Sequence, residues 1–337
     1  MLKFMQMLFL FALILAYYCV RSSGNDSPPL VLGYYQETCP AVEEIVQRIV
    51  EIAVLKDPRM AASLLRLHFH DCFVMGCDAS VLLDNFGSML SEKQAGPNAN
   101  SLRGFEVIDE IKDIIEDTCP GVVSCADILA IAARDAVSLR GGPTWDVHLS
   151  RRDSLTASFN GANQFIPAPN STLDTLIANF HQQGLDTADL VALSGSHTLG
   201  KARCLSFKQG IYADKNAAET FGYLERDEMY IKALRSLCPI SGKDNILSPL
   251  DLETPARFDN QYFENIIEGR GLLISDNVLV DDDDEDSEIR NLVFDYASDQ
   301  KYFFDSFVKS MIKMGNINVL TGYNHGEIRR NCRFINS

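Results

Sequence analysis

Basic residues are scarce in this chain: 30 lysines and arginines stand against 46 aspartates and glutamates, giving a net charge of −16. Proteins that bind nucleic-acid phosphates need clustered Lys and Arg, so nucleic acid is excluded as a partner. Strand-like alternation of apolar and polar residues is rare, and no internal repeat is visible. With 46% hydrophobic and 23% charged residues over 337 positions, the composition is that of an ordinary globular protein with one or two cores.

Long apolar runs are also absent, except for one near the start of the chain. This run extends from Met7 to Val20, after Lys3 and before the small residues at Ser22 to Gly24. The layout predicts a secretory signal peptide from Met1 to about Ser23. A membrane anchor is the alternative, but the run is short for the roughly 20 residues that span a bilayer. We therefore expect export without a stable membrane anchor.

The cysteines support export. Of the nine, Cys19 falls within the predicted signal peptide, which leaves 9 − 1 = 8 in the mature chain. An even number in a secreted protein predicts four disulfides, although eight cysteines allow on the order of a hundred pairings. Cys72 and Cys77 are close enough for a local bridge. A zinc site is the alternative, and it is disfavoured because no Cys-x-x-Cys pair accompanies them.

Apolar residues at three- and four-residue intervals predict a mainly helical fold. The predicted helices span residues 40–55, 60–73, 104–117, 124–139, 172–183, 187–193, 259–268, 287–298 and 300–314. Two caps are predicted: Ser124 precedes Asp127 at capping-box spacing, and Thr187 precedes Leu190 after the stop at Gly184. The acidic run from Asp281 to Asp286 lacks the glycine and glutamate of an EF-hand, so we interpret it as a solvated loop.

Arg66 and His70 lie four residues apart, so a helix places them on one face, with Phe69 beside them and His68 turned away. A neutral imidazole next to a permanent cation suits cleavage of a peroxide O–O bond. The imidazole takes a proton from the near oxygen and returns it to the leaving oxygen, while the guanidinium stabilises negative charge. The same spacing is common on surface helices, so on its own it does not decide the function.

A second histidine, His197, lies between Gly195 and Gly200. Glycines at these positions would let a flat cofactor approach the backbone closely. A histidine that ligates haem iron needs its other ring nitrogen fixed by an acceptor, and Asp276 is a candidate for that partner. A hydrogen-bonded core histidine is the alternative that this segment alone leaves open.

Taken together, these segments resemble the plant secretory haem peroxidases, the class III group. The resemblance runs from Tyr34 to Cys332 and is most specific at residues 65–80, 122–127, 141–145, 151–154 and 189–200. It implies a mainly α, two-lobed haem peroxidase fold over residues 24–337. The distal lobe would cover roughly residues 30–150 and the proximal lobe roughly 151–330, with one haem b between them.

The resemblance also implies roles for individual residues. The catalytic group on the distal side comprises His70, Arg66 and Asn98, which hydrogen-bonds His70 and keeps it basic. The haem and donor sites comprise His197 as axial ligand, Asp276 as its partner, Phe69 at the haem, and Pro167 at the donor site. The implied disulfides are Cys39–Cys119, Cys72–Cys77, Cys125–Cys332 and Cys204–Cys238.

Two calcium sites follow from the same resemblance, and calcium prefers several hard oxygen ligands on a loop. The distal set begins beside His70 and comprises Asp71, Val74, Gly76, Asp78 and Ser80, with Glu92 linked through water. The proximal set begins beside His197 and comprises Thr198, Asp251, Thr254, Arg257 and Asp259. Helix-end capping by Asp71 and simple solvation of the others is the alternative.

Two residues depart from the family pattern. Asn170 stands where an aromatic residue often lines the donor channel, and Met75 stands at a commonly polar position of the calcium loop. Asn170 also begins a glycosylation sequon, as does Asn25. A glycan on Asn170 would limit bulky donors.

The implied function is reduction of hydrogen peroxide to water with one-electron oxidation of small phenolic donors. The protein would act as a monomer outside the cell or in the cell wall, with the vacuole as an alternative, and would contain haem b and two Ca²⁺. The expected roles are phenolic polymerisation into lignin or suberin, peroxide removal and stress response. The alternatives are a non-enzymatic wall protein, which would not need Arg66 or His70, and an intracellular ascorbate peroxidase, which would lack the signal peptide and paired cysteines.

Overall fold

The computed structural model describes residues 28–213, 227–280 and 287–336. Over these ranges the chain forms 13 α-helices and one two-stranded sheet. The mainly α fold class is therefore confirmed. The predicted signal peptide, Asn25 and the acidic run from Asp281 to Asp286 lie outside the described residues. None of the helices described is both long enough and apolar enough to cross a membrane.

The helices follow one another along most of the chain. They are α1 Val42–Lys56, α2 Met60–Cys72, α3 Phe105–Thr118, α4 Cys125–Ser138, α5 Phe159–Phe165, α6 Leu173–Gln182, α7 Thr187–Ser194, α8 Cys204–Tyr212, α9 Glu228–Leu237, α10 Gln261–Ile267, α11 Ile274–Asn277, α12 Glu288–Ser298 and α13 Gln300–Met314. Strands β1 Lys201–Arg203 and β2 Leu247–Pro249 pair antiparallel. Short 3₁₀ turns lie at Ser80–Leu82, Glu92–Gln94 and Gly195–Thr198.

Each of the nine predicted helices is present, with ends that differ by at most two residues. At α4 the predicted cap is correct, because Ser124 Oγ accepts a hydrogen bond from the Asp127 amide at 3.1 Å. At α7 the helix begins at Thr187, but the predicted cap is wrong. Asp186 is the N-cap: its carboxylate accepts from the Asp189 amide, and the Asp189 carboxylate accepts from the Asp186 amide. Thr187 instead donates to Glu288.

One large hydrophobic core joins the first half of the chain to the second. Helix α2 packs on α4, α1 packs on α3 and α4, and α7 packs on α12 and α13. Side chains from both halves, such as Leu67, Ile131, Leu190 and Phe303, belong to this one core. The core fixes α2, which carries Arg66 and His70, and α7, which leads into His197.

Disulfides tie the core to the surrounding loops. The four pairs are Cys39–Cys119, Cys72–Cys77, Cys125–Cys332 and Cys204–Cys238, the same pairs that the resemblance implies. Cys72 and Cys77 lie close to His68, and in the described ranges these three form a cluster of potential metal ligands. The two sulfurs are bonded to each other and supply no thiolate, which argues against the zinc alternative.

A buried ion pair links two of the most specific sequence stretches. Arg151 donates to Asp127 at 2.8 Å, and the Tyr35 hydroxyl donates to the same carboxylate at 2.8 Å. Asp153 accepts from the amides of Cys125 and Ala126 at the start of α4. These residues therefore hold α4 against the chain that follows it, which is a structural role.

Candidate active site

Arg66 and His70 are in direct contact on one face of α2. Arg66 Nε lies 3.0 Å from Nε2 of His70. The other guanidinium nitrogens donate to backbone oxygens of Pro97 and Ser101 at 2.9 and 3.3 Å. The loop around residues 97–101 therefore fixes the direction in which the guanidinium points.

His70 is a neutral base in this arrangement. Its Nδ1 lies 2.6 Å from Oδ1 of Asn98, an acceptor, so Nδ1 carries the proton and Nε2 keeps its lone pair. Burial and the nearby charge of Arg66 hold the pKa of His70 well below its ordinary value. Burial and the charge of Arg203 lower the pKa of Arg66 to about 10, which still leaves it cationic at neutral pH.

Asn98 is itself held by the segment that precedes it in the chain. Its Nδ2 donates to the backbone oxygen of Glu92 at 2.8 Å, which also fixes which end of the amide faces His70. The Glu92 carboxylate accepts from the Ser158 amide at 2.9 Å through Oε1. Hydrogen bonds thus lead from His70 through Asn98 to the backbone of Glu92, a residue whose side chain is a buried carboxylate.

That carboxylate belongs to a buried cluster of oxygens beside His70. Asp71, Asp78, Ser80 and Glu92 are all at most 2% exposed. Burial raises the pKa of Glu92 to about 8 and that of Asp78 to about 6. Burial and the charge of Asp78 also raise the pKa of Asp71. Ser80 Oγ and Glu92 Oε2 have no hydrogen-bond partner.

The turn that joins Asp71 to Asp78 is tightly constrained. Gly76 has a φ of +123°, and a Cβ there would lie 2.6 Å from the Asn318 backbone oxygen. Only glycine fits such a position. Val74 is buried, whereas Met75 is 37% exposed at the surface of the turn. Met75 thus points its side chain away from the buried oxygens.

His197 is paired with Asp276, as the resemblance implies. Nδ1 of His197 lies 2.7 Å from Oδ1 of Asp276, and the Leu273 amide donates to Oδ2 at 3.0 Å. The imidazole side chain is 38% exposed, whereas the carboxylate is 3% exposed. The buried carboxylate therefore fixes the ring while its far nitrogen, Nε2, remains accessible.

The Tyr262 hydroxyl also donates to Oδ1 of Asp276, at 3.3 Å. Burial and the charge of Asp276 raise the pKa of Tyr262 well above its ordinary value, so the hydroxyl keeps its proton. The same oxygen thus receives hydrogen bonds from His197 and from Tyr262.

The turn after His197 meets the helix that carries His70. Gly200 has a φ of +103°, and a Cβ there would lie 3.0 Å from the Cβ of Ala62. Ala62, Arg66 and His70 follow at intervals of four residues and share one face of α2. Gly195 has a different role from the one expected, because a Cβ there would collide with the core ring of Phe303. Close packing, rather than cofactor approach, requires that glycine.

A second cluster of oxygens lies beside His197. The Thr198 hydroxyl lies 3.1 Å from Asp251, 3.2 Å from Asp259 and 3.4 Å from the Arg257 backbone oxygen. The Thr254 hydroxyl lies 3.2 Å from Asp251 and 3.0 Å from Asp259. Each hydroxyl has one hydrogen and cannot donate to all of these acceptors at once.

Pro167 lies in the segment between α5 and α6, close to α2. Its neighbour Ile166 belongs to a small apolar cluster on which Phe69 of α2 packs. The Pro169 backbone oxygen accepts from the Ser275 amide, directly beside Asp276. Asn170 is exposed, and its Nδ2 donates to Gln209 of α8 at 3.3 Å.

Sequence reasoning missed several residues of this site. Tyr262 sits in an ordinary amphipathic pattern, and Ser158 acts through its backbone, so neither leaves a sequence signal. Arg203 follows His197 by six residues, and its charge could have been noted. His68 was correctly predicted to point away from the pair: burial and the charge of Arg151 lower its pKa to about 3, so it is a neutral core residue.

Comparison with known proteins agrees with this geometry. The model of the family described as Peroxidase matches residues 46–299. The chain is 64% identical to Peroxidase 20 of Arabidopsis thaliana over 96% of each chain. It is 56% identical to Peroxidase 9 of the same plant, covering 93% of this chain and 91% of that one. It is 52% identical to Peroxidase 4 of Vitis vinifera, covering 93% and 94%.

The chain belongs to the plant secretory peroxidase family. It is therefore an enzyme that oxidises donor substrates with hydrogen peroxide, and its cofactor is haem. A peroxidase needs a base for the peroxide proton and a ligand for the iron. His70 and His197 each have a hydrogen-bond partner of their own, and their geometry is compatible with those two tasks.

Proposed function

We propose that this peroxidase is secreted and oxidises small phenols, with His70 and Arg66 acting on peroxide and His197 as the residue that would bind the haem iron. The observation that carries the proposal is the contact between Arg66 and His70 on one face of α2. Gly200, three residues after His197, packs against the same face. The distal lobe, roughly residues 30–150, and the proximal lobe, roughly 151–330, would enclose the haem.

The side chains present fit a haem. Asp276 fixes Nδ1 of His197 and leaves the accessible Nε2 for iron. Arg66 and Arg203 lie near enough for their charges to oppose each other, and the carboxylates of a haem would offset that repulsion. When bound, the haem supplies the redox chemistry, in which peroxide takes two electrons and donors return them one at a time.

His70 moves the proton. Its neutral Nε2 takes the proton from the near oxygen of hydrogen peroxide and later delivers it to the far oxygen, which leaves as water. Arg66 stabilises the negative charge on the departing oxygen. Because Arg66 Nε donates to the same Nε2 in this structure, it must release that nitrogen when peroxide arrives. Asn98 keeps the proton of His70 on Nδ1 throughout.

The distal oxygen cluster is proposed to hold a calcium ion, with Asp71, Val74, Gly76, Asp78 and Ser80 as ligands and Glu92 linked through water. Three buried carboxylates with raised pKa values and two unpartnered oxygens suit a hard divalent cation. Because Asp71 directly follows His70, the ion would fix the end of α2 and the position of the base.

The proximal cluster is proposed to hold the second calcium ion, with Thr198, Asp251, Thr254, Arg257 and Asp259 as ligands. The hydroxyls of Thr198 and Thr254 have too few hydrogens for the acceptor oxygens around them. A cation bound by these oxygens would satisfy all of them. Thr198 directly follows His197, so this ion would fix the histidine that is proposed to bind the iron.

Small phenols are more suitable electron donors for this enzyme than ascorbate is. The net charge of −16 repels anionic ascorbate and would also weaken attachment to acidic polysaccharide. Ile166, next to Pro167, belongs to a small apolar cluster on which Phe69 packs, and the proposed donor site would lie beside this cluster. The proposed roles are polymerisation of wall phenolics into lignin or suberin, peroxide removal and stress response. The protein would act as a monomer in the extracellular space or wall, with the vacuole as the alternative.

A donor panel tests the proposal. Purified, haem-loaded enzyme is given hydrogen peroxide with hydroxycinnamyl alcohols, other phenols and ascorbate, and the kcat/KM for each donor is compared. We expect phenols to exceed ascorbate by a wide margin. A preference for ascorbate, or peroxide consumption without phenol oxidation, would contradict the proposal. Expression with and without residues 1–23 tests secretion, since only the complete chain should reach the medium.

A further inference from the structure

Tyr323 is far more exposed than the other tyrosines of the described ranges. It is 96% exposed, followed by Tyr34 at 51% and Tyr302 at 43%. The rings of those two rest edge-on against Tyr35 and Tyr296, with centroids 4.9 and 5.2 Å apart. Tyr323 forms no hydrogen bond or ring contact within the described part of the chain. Its phenol is therefore fully open to reactants in solution.

The loop that carries Tyr323 is held in place at both ends. The Arg152 amide donates to the Leu320 backbone oxygen at 2.8 Å. The Arg152 guanidinium donates to the backbone oxygens of His325 and Gly326 at 2.7 and 3.2 Å. Since the same arginine binds both sides of the loop, the ring of Tyr323 is presented at the tip of a short, anchored turn.

We infer that Tyr323 is a site of oxidative cross-linking, at which the phenoxyl radicals made by this enzyme join one copy of the chain to a second copy. The inference rests on the proposed oxidation of phenols. A tyrosine side chain is itself a phenol, and an exposed one is accessible to small radicals that leave the active site. No electron path through the protein is needed, because the small radical carries the oxidation to the surface.

The coupling of two Tyr323 side chains takes place in two steps. A donor radical takes a hydrogen atom from the Tyr323 hydroxyl, which regenerates the donor phenol and leaves a tyrosyl radical. Two such radicals from two copies form a carbon–carbon bond between their rings, and each coupled ring carbon passes its hydrogen to its own oxygen. In sum, two tyrosines and one hydrogen peroxide give one linked pair and two waters.

The second copy can approach because Tyr323 stands clear of its own surface. A buried or half-covered ring would have to leave its contacts before its ring carbons could couple. Tyr34 is the matched control, since it is the next most exposed described tyrosine and also lies outside the proposed machinery. Both Tyr323→Phe and Tyr34→Phe remove only a hydroxyl, so neither is expected to alter folding or the oxidation of small donors.

The test uses the haem-loaded full chain with repeated small additions of hydrogen peroxide and a trace of a small phenol. Covalent dimer is measured on reducing, denaturing gels, dityrosine by its fluorescence, and the linked peptide by mass spectrometry. We expect dimer in the wild type and in Tyr34→Phe, and loss of most dimer in Tyr323→Phe with unchanged donor turnover. Dimer that persists in Tyr323→Phe would overturn the inference.

A second arm separates this inference from the proposed function. The same phenol is oxidised by an unrelated peroxidase immobilised on beads, so that radicals reach the chain from outside. Tyr323-dependent dimer in this arm alone would support the cross-linking site and contradict the phenol activity of the chain. Absence of Tyr323-linked peptide in both arms would overturn the cross-linking site.

Discussion

The buried carboxylate of Asp276 lies against the partly exposed imidazole of His197, with Oδ1 of Asp276 2.7 Å from Nδ1 of His197. A charged acceptor at this distance draws the ring proton and increases electron donation from Nε2 to iron. In Asp276→Asn the neutral amide attracts the Nδ1 proton of His197 less strongly, so Nε2 donates less electron density to iron. We therefore expect haem to stay bound and the iron reduction potential to rise. Spectroelectrochemical titration measures the potential. A value equal to that of the wild type would contradict the role of Asp276.

Tyr262 should act in the opposite direction. Its hydroxyl donates to the same oxygen of Asp276 and so reduces the pull of that oxygen on the His197 proton. Tyr262→Phe removes only this donor, and we expect a lower reduction potential and a higher iron–histidine stretching frequency. Tyr296→Phe is the matched control, because Tyr296 is buried near Phe263 without a hydrogen bond to Asp276. A rise in potential in Tyr262→Phe, or equal shifts in both variants, would contradict the argument.

The contrast between Asp276 and Tyr262 shows what sequence reasoning can reach. The sequence indicates Asp276 as a candidate partner of His197, and the resemblance implies the same, whereas Tyr262 acquires its role only from the packing of α10 against the turn of His197. Helix periodicity located nine helices because their apolar faces pack on the core. It missed α5, α8, α9 and α11, of which α5 and α11 have seven and four residues, too short for a clear repeat.

Calcium removal should reduce stability in a pH-dependent way. In the cation-free fold, burial raises the pKa of Glu92 from 4.5 to about 8 and that of Asp78 from 3.8 to about 6. A carboxyl whose folded pKa is raised contributes stability below its unfolded pKa and loses it as pH rises through the folded pKa. The chelated protein should therefore lose thermal stability between about pH 4 and about pH 8. Calcium should restore stability most at the upper end.

Thermal melting with chelator and with added calcium, measured across this range, tests the expectation. Activity should fall with chelation as well, because Asp71 and His70 are neighbours on α2. Glu92→Gln should flatten the pH dependence of the chelated protein, since it removes the carboxyl with the higher of the two raised values. A stability gain from calcium that does not change with pH would contradict the assignment of the distal site.

Glycosylation at Asn170 should restrict bulky donors. Asn170 is exposed beside the Pro167 segment, and its amide keeps one hydrogen for Gln209 after a glycan is attached. Asn170→Gln removes the sequon, and we expect the rate with bulky phenols to rise relative to that with small ones. Thr172→Ser is the matched control, because it keeps both the sequon and the hydroxyl that caps α6. Equal donor ratios in a glycosylated wild type and in Asn170→Gln would contradict this role.

As with the helices, only some residues of the candidate site could be predicted from the sequence. The motifs indicate His70, Arg66 and His197, because the chemistry needs those residue types, and the family resemblance adds Asn98. The reasons for the flanking glycines were not available from sequence. Gly195 is required by the ring of Phe303, and Gly200 by its positive φ and its contact with Ala62. Such contacts depend on segments far apart in the chain, which no local pattern records.

The reaction of His70→Leu with hydrogen peroxide tests the central claim most directly. This variant should keep haem bound through His197 but lack the base that takes the peroxide proton. His181→Leu, on the exposed surface of α6, is the control, and Arg66→Leu should be less impaired because it retains proton transfer. In stopped-flow mixing, we predict that the peroxide-dependent change in the haem spectrum slows by about 10²- to 10⁴-fold in His70→Leu. A rate close to that of the wild type and of His181→Leu would contradict the assignment of His70 as the catalytic base.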